Sequence, residues 1–194
     1  MQLPPRAPLR GEAKLRAALV AFDVRVSGRI ALDVGSAAGG FVRVLLAEGA
    51  ARIYAVDAGF GQLLGSLRQH PRVVNLEATN VAELDATLIP ECIDLVTVDV
   101  SYLSLASAVR QLGGVCKTSG ADLIGLVKPM FELRLASAPT DAESAELAAA
   151  RAAAGVADAG WVVESTAPSP VTGARGAVEM LLHACWPERA GPPV

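Results

Sequence analysis

Apolar residues recur along this chain in two rhythms. Short runs rich in Val, Ile and Leu, namely RIALDV (29–34), RIYAVD (52–57), RVVNLEA (72–78), IDLVTVDV (93–100) and ADLIGLVKP (121–129), read as buried strands. Between them, apolar positions fall three and four apart. Leu15, Ala18, Leu19 and Phe22 form one face of a helix running from Gly11 to about Phe22. Gly39 to Glu48, Gln62 to Gln69 and Leu105 to Leu112 are predicted as further helices. Thr140-Asp141-Ala142-Glu143 has the form of a capping box and predicts a helix to about Ala157. WVVEST (161–166) and AVEMLLHACW (177–186) are the last two predicted strands. The three prolines of residues 1–10 mark an extended arm, and the closing ERAGPPV reads as a loose tail.

Strands alternating with helices build an α/β domain, a parallel sheet covered on both faces. Ligands of such sheets sit outside the carboxyl ends of the strands. Asp33, Asp57, Asp99 and Lys128 all end predicted strands, so they are expected to face one crevice.

The 194 residues suffice for one domain with its own core. A composition that is 52% hydrophobic but 4% aromatic suits a helix-flanked parallel sheet. No apolar run approaches the ~18 residues of a membrane span, and MQLPPRAPLR lacks the apolar centre of a secretion signal. A cytoplasmic location follows as the expectation. Cys92, Cys116 and Cys185 are widely spaced with no C-x-x-C pair, so neither a metal site nor a disulfide is expected; each reads as a small buried apolar residue. The net charge of −3 argues mildly against nucleic acid. Residues 1–30, however, hold Arg6, Arg10, Lys14, Arg16, Arg25 and Arg29 against Glu12 and Asp23, an arm able to touch phosphate or a solvated helix face.

DVGSAAGGF places glycines directly after the first strand and at the start of a helix. Gly35 permits a sharp turn, and Gly39 and Gly40 leave the backbone open to a ligand. The spacing G-x-x-x-G-G differs from the G-x-G-x-x-G of dinucleotide folds. Asp57 ends the second strand where an acidic side chain binds ribose hydroxyls. Asp33 suits a ligand bearing an ammonium or sulfonium, so the pair favours S-adenosylmethionine over NAD. Asn80 reads equally as an adenine partner or a turn residue.

Lys128 closes an apolar strand, where partial desolvation favours a neutral amine able to act as a general base. Asp99, one strand over, is placed to hold that amine. Lys14 and Glu179 complete a mixed-charge cluster. Methyl transfer from a sulfonium is an in-line displacement in which alignment is the main task, and it needs no metal.

These motifs carry a resemblance. ALDVGSAAGGF, the segment from Ala51 to Val81, VDVSYLSL, LVKPMFE and GARGAVEMLLH resemble the TlyA, or haemolysin A, family of ribosomal RNA methyltransferases, which have an FtsJ-like methyltransferase domain. The likeness runs from about Gly11 to His183. It implies a Rossmann-like sheet, mostly parallel with an antiparallel last strand, and methylation of ribose 2′-hydroxyls of cytidine in ribosomal RNA. It implies a catalytic set of Lys14, Asp99, Lys128 and Glu179. The cofactor positions it implies are Asp33, Gly35, Ser36, Gly39, Gly40, Phe41 and Asp57. It divides the chain into an arm and catalytic helix (1–24), the FtsJ-like domain (25–188) and a tail (189–194), without the small RNA-binding domain that usually precedes the family's catalytic helix. L-R-G-E stands in place of S-R-G-G, LRLASAPTDAES in place of a glycine- and lysine-rich loop, and Arg175-Gly176-Ala177 in place of K-G-N. Each replacement removes basic or RNA-facing character. The competing expectations are a methyltransferase for a small hydroxyl-bearing molecule and a non-catalytic cofactor-binding protein. Membrane lysis, which the haemolysin name raises, finds no apolar span to support it.

Overall fold

A computed structural model describes residues 9–173 and 176–188. The predicted arm at residues 1–8, the tail and Arg175 lie outside the described residues.

The elements in chain order are α1 (Arg10–Ala21), β1 (Ile30–Val34), α2 (Gly40–Ala47), β2 (Arg52–Asp57), α3 (Gly65–Arg68), β3 (Val73–Glu77), β4 (Ile93–Val98), α4 (Leu105–Arg110), β5 (Lys117–Val127), α5 (Pro129–Glu132), α6 (Ala142–Asp158), β6 (Val162–Pro168) and β7 (Met180–Cys185). The strands form a seven-stranded sheet in the order β3-β2-β1-β4-β5-β7-β6. β1 to β5 pair in parallel, whereas β7 runs antiparallel to both of its neighbours.

Side chains alternate across a strand, and that alternation assigns the two faces. Ala31, Ile53, Ala55, Leu95, Ile124, Leu126 and Leu181 pack under α1 and α2. Leu32, Val34, Val56, Val96, Val98, Leu123, Val127 and Leu182 face the opposite core, which takes in α4 and α6. Helix α6 buries Ala145, Ala148, Ala149, Ala152 and Val156, a stripe at helical spacing that seats its backbone close to the sheet.

Several predicted boundaries move, each for a local reason. The helix expected over Gln62–Gln69 shrinks to Gly65–Arg68, because Glu77 accepts hydrogen bonds from the amides of Gln62 (2.6 Å) and Leu63 (2.9 Å) and holds them in a loop. Helix α6 is capped by Asp141, whose carboxylate accepts from Ser144 N (2.7 Å), rather than by Thr140. Strand β5 begins at Lys117, ahead of the expected Ala121, and its register against β4 shifts between Ile93 and Leu95. Strand β7 begins only at Met180, because Ala177 and Val178 hydrogen-bond to Gly173 and Pro139 instead.

The cysteine expectation fails. Cys92 and Cys116 form a disulfide, both are exposed, and Cys185 is half-buried. The two bonded residues immediately precede Ile93 and Lys117, which are register partners at the starts of β4 and β5. Parallel pairing therefore delivers them side by side, where wide spacing in sequence argued for separation. No helix among the described residues is long and apolar enough to cross a membrane.

Candidate active site

One alternating set places the expected chemistry. Asp33 shares its face of β1 with Ala31, Asp57 shares that of β2 with Ala55, and Thr97 shares that of β4 with Leu95. Asp99 and Lys128 continue the same alternation past the ends of β4 and β5, and Glu179 precedes β7 on the same side as Leu181. All stand on the α1 face, at the carboxyl edge of the parallel strands. Helix α1 then supplies Lys14, one of its buried positions together with Leu15, Ala18 and Leu19.

Two lysine–carboxylate pairs result, one buried and one half-buried. Lys14 Nζ lies 2.5 Å from Glu179 Oε2, with the side chains 9% and 6% exposed. Lys14 is therefore no ordinary surface lysine. Lys128 Nζ lies 2.6 Å from Asp99 Oδ1 and donates to Ser101 Oγ at 2.8 Å. A cavity of about 290 Å³ is lined by Lys14, Lys128, Glu179 and Ser101 on its polar side and by Met130 and Phe131 on its apolar side. Arg10 closes its edge by donating to the carbonyls of Thr172 (3.2 Å) and Gly173 (3.3 Å).

A second cavity of about 340 Å³ lies over the glycine loop, lined by Gly35, Ser36, Gly40, Phe41 and Asp99. Asp99 thus borders the loop cavity while bonding the lysine that lines the other. Gly35 adopts φ +87°, and a Cβ there would stand 2.3 Å from the Asp99 carbonyl oxygen, so only glycine fits. Gly39 and Gly40 also serve packing. A Cβ on Gly39 would meet Leu67 Cδ1 at 2.2 Å, and one on Gly40 would meet the Gly11 Cα at 3.1 Å, where α1 and α2 cross. Phe41 is a core residue whose ring packs near Gly11.

The acidic residues differ sharply in their surroundings. Asp33 is fully buried, and its Oδ1 accepts from the hydroxyl of Thr97, its register partner, at 2.7 Å. Burial, followed by the charges of Asp99 and Asp57, pushes its carboxyl up to about 7. Its Oδ2 and the nearby Ser36 Oγ are buried without a protein partner. Asp57 is already engaged: Oδ2 accepts from Ala37 N (2.8 Å), and Oδ1 from Gly59 N (2.7 Å) and Gln62 Nε2 (3.5 Å). It holds Ala37 at φ +42°, a left-handed conformation that alanine rarely adopts. Asn80 is exposed, and its side chain accepts from Ala82 N (3.2 Å) as a cap, the turn role.

Sequence reasoning missed Ser101, Thr97 and Glu132. Ser101 lies two residues beyond Asp99, the spacing that returns to one face, and that signal was readable. Glu132 is buried and accepts from the amide of Leu105 at the start of α4, a contact no spacing announces. Part of the basic excess near the N-terminus is paired internally: Lys14 with Glu179, Arg16 with Glu48, and Arg29 with Asp122.

Comparison with known proteins identifies the family. The FtsJ-like methyltransferase model matches residues 8–181, and the chain belongs to that family. It is 42% identical over 181 residues to the 16S/23S rRNA (cytidine-2'-O)-methyltransferase TlyA of Mycobacterium tuberculosis, a match covering 89% of this chain and 66% of that protein. It is 31% identical over 184 residues to Hemolysin A of Brachyspira hyodysenteriae, covering 90% of this chain and 75% of that one. A structure described as a hemolysin from Streptococcus thermophilus superposes with a TM-score of 0.87 at 31% identity, covering 96% of this chain and 69% of the other. The chain thus spans about two thirds of the length of the TlyA relative.

Proposed function

We propose that this chain is an S-adenosylmethionine-dependent methyltransferase acting on a ribose 2′-hydroxyl of ribosomal RNA. The observation that carries the reading is the convergence of Lys14–Glu179 and Lys128–Asp99 beside one cavity, with Asp99 also bordering the glycine loop. Kinship with the TlyA relative supports the RNA substrate and a ribosomal subunit as partner.

Buried polar atoms test whether the loop suits the cofactor. Native interiors leave few such atoms unpaired. Here Asp33 Oδ2 and Ser36 Oγ are both unpaired at the β1–α2 loop. A ligand carrying an ammonium and hydroxyl donors satisfies both, so the residues present fit. Asp33, Gly35, Ser36, Gly39, Gly40, Phe41 and Asp57 would hold it, with Gly40 lining the loop cavity, while the Asn80 side-chain oxygen is engaged as a cap. When bound, S-adenosylmethionine supplies an electrophilic methyl group.

The chain's own work is alignment and proton handling. Lys128 Nζ, held by Asp99 and Ser101, first gives a proton to solvent and then, as the free amine, takes the proton of the incoming hydroxyl. Asp99 balances the charge that the amine then carries. Lys14, fixed by Glu179, donates a hydrogen bond that orients the same hydroxyl. Met130 and Phe131 keep water from the cavity.

The test is incubation with labelled methyl donor and unmethylated ribosomal subunits, followed by nucleoside mapping. Label in a 2′-O-methylated nucleoside is the expected result. Absence of label from RNA in both subunits overturns the substrate.

A further inference from the structure

At the opposite edge of the same sheet face stands a group of side chains that the methyl-transfer site does not use. Asp122 lies on β5, and His183 and Cys185 lie two apart on β7. Asp122 and Cys185 are register partners across the antiparallel pair, and alternation turns all three toward the α1 side. Lys128 is six positions further along the chain from Asp122, so the cluster is roughly 20 Å from the proposed proton acceptor.

The geometry points to a site for a borderline divalent cation, zinc by its ligand class, formed by Asp122, His183 and Cys185. One donor atom from each residue lies within 4.8 Å of the others. His183 Nε2 is 2.6 Å from Asp122 Oδ1, Cys185 Sγ is 3.5 Å from Asp122 Oδ1, and Cys185 Sγ is 3.8 Å from His183 Nε2. Tetrahedral zinc, with bonds of about 2.0–2.3 Å, separates its ligands by roughly 3.3–3.8 Å. Two separations match already, and opening the His183–Asp122 contact by less than about 1 Å completes the set. Sulfur, imidazole and carboxylate together select zinc over calcium or magnesium.

The surroundings support a ligand set. Arg29 pairs with Asp122 through Oδ2, leaving Oδ1 directed at His183, an outer-shell contact that fixes the carboxylate. The Phe22 ring stacks on His183 at 5.4 Å between centroids and 17° between planes, orienting the imidazole. Asp122 and His183 are buried and Cys185 is half-buried, so the sulfur is the donor of the three that reaches toward solvent. Burial and then the Asp122 charge push the Cys185 thiol up to about 11, which rules out a free nucleophilic thiolate at neutral pH. On binding, the Cys185 thiol proton leaves to solvent as the sulfur–metal bond forms, and the proton between His183 Nε2 and Asp122 Oδ1 moves to His183 Nδ1 or to solvent as Nε2 bonds the metal. The site then ties β7, the strand that follows Glu179, to β5 and, through Phe22, to the end of the helix that carries Lys14.

Cobalt(II) is the probe, added to the full chain without reductant so that Cys92 and Cys116 stay bonded. Expected are a sulfur-to-cobalt charge-transfer band and intense tetrahedral d–d bands that saturate near one ion per chain and are displaced by zinc. Cys185→Ser loses the charge-transfer band, His183→Gln weakens affinity about tenfold or more, and a Cys92→Ser/Cys116→Ser chain keeps the band. Zinc raises the melting temperature of the native chain but not that of Cys185→Ser, a readout that needs no catalysis. Absence of the band at tenfold excess cobalt, or its survival in Cys185→Ser, overturns the site and leaves a hydrogen-bonded network only.

Discussion

Lys14 and Glu179, 165 positions apart, meet at 2.5 Å with both side chains almost closed to solvent. The contact joins α1 to the start of β7 across the top of the sheet. Removing one partner strands a buried charge, which costs about 3–5 kcal/mol. Glu179→Ala is therefore expected to lower the urea midpoint markedly and to abolish turnover. Lys14→Met with Glu179→Leu is expected to recover much of the stability and none of the activity. Equal loss of stability in single and double variants in urea melts counts against the pairing.

Lys128→Ala removes the proposed proton acceptor without touching the glycine loop. Turnover is expected to fall by about 10²–10⁴, with the cofactor dissociation constant changed less than about threefold by calorimetry. Ser101→Ala, which frees one donor of the same amine, is expected to reduce kcat by a smaller factor and to leave cofactor affinity alone. Near-native turnover in Lys128→Ala assigns the proton elsewhere.

Asp33 makes stability and binding respond to pH in opposite directions. Its carboxyl sits at about 7 in the folded chain, against 3.8 ordinarily, with burial the main cause. Below pH about 4 it is protonated whether folded or unfolded. Between about 4 and 7 the unfolded chain releases a proton that the folded chain retains, so stability falls as pH rises, and it levels off above 7. A cationic cofactor favours the ionised form, so its affinity is expected to rise through pH 7. Asp33→Asn flattens both profiles. Parallel melting curves of native and variant chains from pH 4 to 8 remove Asp33 from this role.

Asp57 acts on the loop before it acts on any ligand. Three donors already converge on its carboxylate, and one of them holds Ala37 in a left-handed conformation. Asp57→Ala is expected to weaken cofactor binding at least about tenfold and to speed amide exchange at Ala37 and Gly59. Unchanged exchange with weakened binding identifies a direct ligand contact instead.

The Cys92–Cys116 disulfide closes a loop between the starts of adjacent strands. Its reduction is expected to lower stability by about 3 kcal/mol. Because both cysteines are exposed, mild dithiol should suffice, with free thiols counted alongside the melt. An unchanged midpoint after full reduction shows that the sheet holds this edge unaided.

Much of this arrangement follows from local pattern. Alternation along β1, β2, β4 and β5 places Asp33, Asp57, Asp99 and Lys128 at one edge and on one face, because a two-residue period admits no other outcome once the apolar residues are buried. The same rule applied past Asp99 finds Ser101. What local pattern cannot supply is pairing between elements. The contact between Lys14 and Glu179 is fixed only when α1 lands beside β7. Cys92 and Cys116 read as unrelated until β4 and β5 align. The packing of α3 against Gly39 and of α1 against Gly40 appears only once those helices dock. Spacing along a chain determines which side of its own element a residue faces. Which charge it meets there depends on sheet order and helix docking, set by the burial of the whole core at once.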